Sequence, residues 1–84
     1  MFTVKISKRV QKFLRKHPSI AVKFIAALDQ LENNPYQTHL DIKKLLGQKN
    51  KYRLRIGKYR FLYEINNQKI YLYFYEADTR GQVY

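Results

Sequence analysis

Apolar and polar positions alternate at the start of the chain, where Thr3 and Lys5 separate Phe2, Val4 and Ile6, and this period of two predicts a short strand with one apolar face. The period then lengthens. Ser7 is placed to cap a helix in which Val10, Phe13, Leu14 and His17 recur at i, i+3, i+4 and i+7. The His17-Pro18-Ser19 step ends that helix, because a residue before proline is pushed out of the α region, and Ser19 is the expected cap of the next. Ile20, Ala21, Phe24, Ile25, Ala27, Leu28 and Leu31 form a wide apolar stripe that stops at Asn33-Asn34-Pro35. The two segments predict a helical hairpin. Residues 36–50 read as a loop, with a short apolar turn at Ile42 and Leu45-Leu46 closed by Gly47.

The remainder predicts three strands: Lys51 to Ile56, Tyr59 to Ile65 and Ile70 to Ala77, joined by turns at Gly57-Lys58 and Asn66-Asn67. Strand parity separates two faces. Tyr52, Leu54 and Ile56 share one, as do Tyr59, Phe61, Tyr63 and Ile65, and these are expected to cover the helices. Arg53, Arg55, Arg60, Leu62 and Glu64 must then point the other way, with Arg55 and Arg60 as close cross-strand neighbours.

Composition narrows the class. At 84 residues the chain is expected to be one domain, residues 1–84, since two cores would each be too small to stand alone. Hydrophobic residues at 45% and aromatics at 15% exclude a disordered basic tail. Cysteine is absent, which excludes a disulfide framework, a thiolate zinc site and a thiol nucleophile, and accords with a reducing cytosol; the expected location is cytoplasmic. No apolar run is long enough for a membrane span, and a basic stretch follows Phe2 to Ile6, so neither a span nor a signal peptide is expected. His17 reads as a helix-end residue and His39 as a loop residue. Two separated histidines without cysteine make no metal site, and no cofactor is expected. Tyr63, Tyr71, Tyr73, Phe74 and Tyr75 read as core and sheet cover, except for any tyrosine set on the outer face beside Arg60.

The net charge of +11 points to a polyanionic partner. Its distribution is more telling. Residues 1–33 carry seven basic and two acidic side chains, whereas residues 43–60 carry eight basic ones (Lys43, Lys44, Lys49, Lys51, Arg53, Arg55, Lys58, Arg60) and no acid. Self-repulsion within such a patch costs stability, which favours an anionic partner over a merely solvated face.

With these elements in order, the chain resembles the RelE/ParE superfamily of type II toxin–antitoxin toxins, and more closely its RelE-like ribonuclease branch. The resemblance covers essentially the whole sequence and rests on Lys43-Lys44-Leu45-Leu46-Gly47, on Tyr52-Arg53-Leu54-Arg55-Ile56-Gly57, on Tyr59-Arg60-Phe61-Leu62-Tyr63-Glu64-Ile65 and on the ending Asp78-Thr79-Arg80-Gly81-Gln82-Val83-Tyr84. It implies an α+β fold, β-α-α-β-β-β, with two N-terminal helices packed on one face of a small twisted antiparallel sheet. It also implies cleavage of messenger RNA in the ribosomal A site, the RNA's 2′-OH attacking the adjacent phosphate. The implied catalytic positions are Arg53, Arg55, Arg60, Arg80 and Tyr84. Preorganised guanidiniums suit the charge that builds on phosphate oxygens, and the Tyr84 ring offers a face for base stacking, or its phenol a hydrogen bond to the reacting groups. Lys43, Lys44, Lys49 and Lys51 are cast as RNA contacts.

The implied partners are a cognate antitoxin, the ribosome and its mRNA, with operon DNA reached only indirectly through the antitoxin. The antitoxin is expected to lay acidic and apolar side chains over the arginine face or to displace the C-terminal segment. The chain departs from its relatives where some use a lysine, glutamate or histidine as base: Arg53 and Arg55 stay protonated, and Thr79 stands where many carry histidine. Glu64, Glu76, Asp78, Tyr84 or a group of the ribosome are the candidates for proton transfer. Glu64 is otherwise expected to form an ion pair with Arg53 or Arg60, and Glu76 and Asp78 to balance the patch. The alternatives to an mRNA-cleaving toxin are a ParE-like toxin that inhibits DNA gyrase by binding and a non-catalytic nucleic-acid-binding module.

Overall fold

The computed structural model describes residues 2–36 and 38–79. Its elements run β1 (Thr3–Ile6), α1 (Lys8–Lys16), α2 (Pro18–Asn33), β2 (Asp41–Lys44), β3 (Lys51–Ile56), β4 (Tyr59–Asn66) and β5 (Tyr71–Thr79). The strands form one sheet in the order β1-β5-β4-β3-β2. Two helices on one face of a small sheet, as the resemblance implies, is the observed architecture. The sheet is mixed rather than wholly antiparallel, because β1 returns parallel to β5 after the long excursion through both helices.

Local chemistry accounts for the helix boundaries. Ser7 is extended, and its Oγ accepts from the Val10 N–H at 3.2 Å, opening α1 as expected. The expected cap at Ser19 does not form. α2 begins two residues earlier than that cap would place it, at Pro18, and the His17 carbonyl already accepts from the N–H of Ile20 and Ala21. Proline fits the first helical position because its missing donor would go unpaired there anyway, which leaves Ser19 inside the first turn. His17 thus closes α1 and opens α2. Its Nδ1–H donates to the Phe13 carbonyl at 2.9 Å, and its ring stacks on Phe13 at 4.3 Å and leans on Tyr59.

Two further boundaries differ from the periodicity. Residues 36–50 are not all loop: Asp41–Lys44 pairs antiparallel with β3, Ile42 lying opposite Leu54. A four-residue edge strand with three charged side chains carries too little apolar signal to register as a strand, and its charges suit an exposed edge. Leu46, expected in an apolar turn, is 97% exposed. At the far end, β5 starts at Tyr71 rather than Ile70, because Ile70 takes a left-handed φ of 55° in the turn after Asn66. The Gly57-Lys58 hairpin is as read, with Gly57 at φ 60° as the first turn residue.

The core lies between helices and sheet. Val10, Phe24 and Leu31 from the helices meet Leu54, Phe61, Tyr63, Leu72 and Phe74, all fully removed from solvent. Phe24 is the keystone, with its ring 4.5 Å from Phe61 and 5.0 Å edge-on from Phe74. Each such side chain contributes about 1.5–3 kcal/mol by burial alone. Tyr52, Ile56 and Tyr59 pack around this centre, so the predicted helix-facing set is the observed one.

Candidate active site on the open sheet face

No helix covers the other face of the sheet among the described residues, and the alternation that sends Leu54, Phe61 and Tyr63 inward sends Arg53, Arg55 and Arg60 there. Arg55 and Arg60 are direct register partners across the β3–β4 hairpin, and Arg53 stands opposite Leu62. Two adjacent cations on a two-strand ribbon repel one another unless each finds an acid.

Both acids come from the flanking strands. β2 places Asp41 opposite Arg55 and Lys43 opposite Arg53. The Asp41 carboxylate takes both arginines: Arg53 Nη2 donates to Oδ1 at 2.7 Å, and Arg55 Nη2 pairs with Oδ2. On the other side, β5 places Asp78 opposite Arg60, which grips it at two points, Nε to Oδ1 at 3.1 Å and Nη2 to Oδ2 at 3.2 Å. The Arg53 and Arg60 side chains are only 16% and 13% exposed, so these guanidiniums are held against the sheet rather than extended into water. Arg55 is wetter, at 35%.

Asp78 reaches this face only because β5 is irregular. Leu62 pairs with Glu76 but Tyr63 pairs with Phe74, so one extra residue, Tyr75, sits in a bulge and the parity of β5 reverses across it. Leu72 and Phe74 point into the core before the bulge and Ala77 after it. Without the extra residue, Asp78 would face the helices.

The structure gathers some sequence-selected residues and separates others. Lys43, Lys44, Leu45, Leu46, Arg53 and Arg60 line an open cleft of about 350 Å³. Lys49 lies in the following turn, beside a neighbouring hollow of about 360 Å³ lined by residues 44–49. Lys51 shares the face of Arg53, with its Nζ 5.2 Å from the centre of the Tyr75 ring. Arg80 and Tyr84 lie outside the described residues.

The expected ion pair of Glu64 with Arg53 or Arg60 is absent among the described residues: Glu64 stands opposite Lys51, two same-face positions beyond Arg60. Asp78 does balance the patch, through Arg60, whereas Glu76 pairs with Arg9 of α1 at 3.2 Å. Asp41 was missed altogether. It precedes the acid-free run by two residues and shares the parity of Lys43, a signal readable only once β2 is known to be a strand.

Burial raises the phenol of Tyr75 above its ordinary range, helped by nearby Glu64 and Glu76. His39 is exposed in its loop, and no group of three or more histidine or acidic side chains could hold a metal ion among the described residues. No helix is long and apolar enough to cross a membrane. Chemically, the site is an array of donor forks aimed at one surface, suited to phosphate oxygens.

The comparisons agree with this geometry. Residues 4–78 match the family described as the ParE toxin of the type II toxin–antitoxin system parDE. The RelE1 protein of Methanocaldococcus jannaschii is 42% identical over 66 residues, covering 76% of this chain and 73% of that protein. Toxin RelE3 of the same organism is 39% identical over 67 residues, covering 80% and 72%. In the archaeal RelE–RelB complex of Pyrococcus horikoshii OT3, a chain superposes with a TM-score of 0.82 at 31% identity, covering 98% of each. Fold, matched residues and relatives converge: the chain belongs to the RelE/ParE superfamily of type II toxin–antitoxin toxins, on its RelE-like side.

Proposed function

We propose that this toxin is an endoribonuclease that cleaves messenger RNA in the ribosomal A site, the RNA's own 2′-OH attacking the adjacent phosphate to leave a cyclic phosphate and a free 5′-OH. The observation that carries the reading is the convergence of Arg53, Arg55 and Arg60 on one open sheet face, each anchored by a carboxylate. Negative charge grows on the non-bridging oxygens in the transition state, and fixed guanidiniums answer it without reorganising. Arg60 is the principal clamp, with Arg53 and Arg55 beside it and Arg80 and Tyr84 contributed by the C-terminal residues. Lys43, Lys44, Lys49 and Lys51 are the docking contacts to phosphate. A guanidinium stays protonated, so proton transfer belongs to another group.

The incoming RNA must compete with Asp41 and Asp78 for the arginines. Those carboxylates set the guanidinium planes and keep the patch from repelling itself in the free toxin. A partner protein can do the same from outside. The Pyrococcus horikoshii and Methanococcus jannaschii relatives were crystallised with RelB, which supports a cognate antitoxin for this chain, one that masks the arginine face with acidic and apolar side chains. The toxin then acts in the cytoplasm, where ribosomes and mRNA meet it.

The test is a cell-free translation reaction with this protein added, read by mapping RNA 5′ ends. Codon-positioned cuts on ribosome-bound mRNA, abolished by Arg60→Ala with ribosome binding intact, support the assignment. Persistence of the cuts in that variant overturns it. The ParE name of the matched family supports a second reading, inhibition of DNA gyrase by binding. Loss of gyrase supercoiling at toxin concentrations that leave mRNA whole would select it.

A further inference from the structure

The arginines occupy one end of the open face. The other end carries tyrosines that the proposed chemistry does not use. Leu72 and Phe74 are fully buried, so alternation turns Tyr71 and Tyr73 to the open side. The bulge adds Tyr75 to the same side, its ring 6.5 Å from that of Tyr73 and tilted by 35°. The row ends in cations at both sides: Lys5 Nζ lies 4.6 Å from the Tyr71 ring centre and Lys51 Nζ 5.2 Å from that of Tyr75.

An aromatic row on the solvent side of a sheet does nothing for this core, which is closed by other rings. What it fits is a ligand with flat faces and negative charge. Unpaired nucleotides have both, and stacking on aromatic side chains tolerates any base. Lys51 joins the row to Arg53, one same-face position along β3, so a strand whose phosphate sits at the arginines reaches the tyrosines without leaving the sheet. Glu64, opposite Tyr73, disfavours phosphate at that point but accepts hydrogen bonds from exocyclic base amines. The face is therefore graded, with phosphate grips at one end and base surfaces at the other.

We propose that Tyr71, Tyr73 and Tyr75 form a stacking platform for bases of single-stranded RNA flanking the nucleotides held by the arginine cluster. The inference rests on the reading of RNA as the substrate and adds to it a second subsite with its own residues.

The probe is a 2′-O-methylated RNA oligonucleotide, which lacks the attacking hydroxyl, with 2-aminopurine at successive positions. Fluorescence reports stacking, and titration reports affinity. Wild-type protein is expected to quench 2-aminopurine at positions to one side of the arginine-bound phosphate. Tyr73→Ala and Tyr75→Ala are each expected to weaken binding about tenfold and to remove the quench. The slope of log Kd against log salt stays unchanged, because no phosphate contact is lost. Tyr73→Phe retains both quench and affinity, and circular dichroism checks that each variant is folded. Alanine variants that bind and quench like wild type overturn the platform while leaving the RNA reading standing. No binding of the oligonucleotide by wild-type protein overturns the platform, while the reading of ribosome-bound mRNA as substrate is decided separately by the cell-free cleavage assay. Loss of antitoxin affinity with quenching intact overturns the platform and assigns the tyrosines to a protein contact.

Discussion

On the helix-covered face of the sheet, Leu54, Phe61, Tyr63, Leu72 and Phe74 are closed off from water and interlock ring against ring. On the open face, one residue along each strand, Arg53, Arg55 and Arg60 stand partly wet against Asp41 and Asp78. The same strands build both, and they are held by unlike forces. The covered face gains from burial, which scales with the apolar area removed from water and does not rest on charge. The open face gains only modestly in stability from its ion pairs, because the carboxylate of each stays in contact with water, and it chiefly holds charge in place. The division lets chemistry be altered on one face without unfolding the other.

That separation can be broken most sharply from the inside. Phe24→Ala removes the ring between Phe61 and Phe74 and is expected to cost about 3–5 kcal/mol in denaturant unfolding, a large share of the stability of a domain this size. Its loss of activity should follow the folded fraction. Next comes Arg60→Lys, which keeps the charge but loses the two-point grip on Asp78. Cleavage is expected to fall about 10²–10³-fold, as for other single donors to a developing oxyanion, with unfolding nearly unchanged. A variant in which stability falls as far as rate would erase the distinction between the faces.

Smaller effects sharpen it. Asp41→Asn removes the acid shared by Arg53 and Arg55 and is expected to change stability by no more than about 1 kcal/mol. RNA binding at low salt should tighten and its salt dependence steepen, while cleavage slows because the two guanidiniums lose their common anchor. Tyr63→Phe tests the covered face at a buried polar flaw. The Tyr63 hydroxyl is buried with no partner among the described residues, so its removal should leave stability unchanged or raise it by up to about 1 kcal/mol. Burial, with Tyr52 and Tyr36 nearby, also pushes this phenol well above its ordinary range. The folded state therefore keeps its proton when the unfolded chain begins to lose it near pH 10, and stability falls as pH rises further. Tyr63→Phe should lessen that alkaline loss in pH-dependent melting curves.

Strand parity alone distinguished the two faces, because a side-chain period of two admits no third direction, and Tyr52 to Ile56 and Tyr59 to Ile65 keep it without interruption. The helices were equally legible from their stripes, although Pro18 took the first helical position and moved the cap from Ser19 to His17. What the strands and helices of the N-terminal and hairpin regions share is a long run of regular positions, each repeating the same message. Asp41 and Asp78 lacked that support. β2 has a single apolar residue, and the bulge at Tyr75 reverses parity by one inserted residue, so neither acid could be assigned a face from its own neighbours. Sequence by itself determined the layers, the core and the side on which the arginines stand, since these follow from local periodicity and burial. Only the tertiary structure decided which carboxylates hold the arginines and which tyrosines share their face, because those depend on register between strands far apart in the chain.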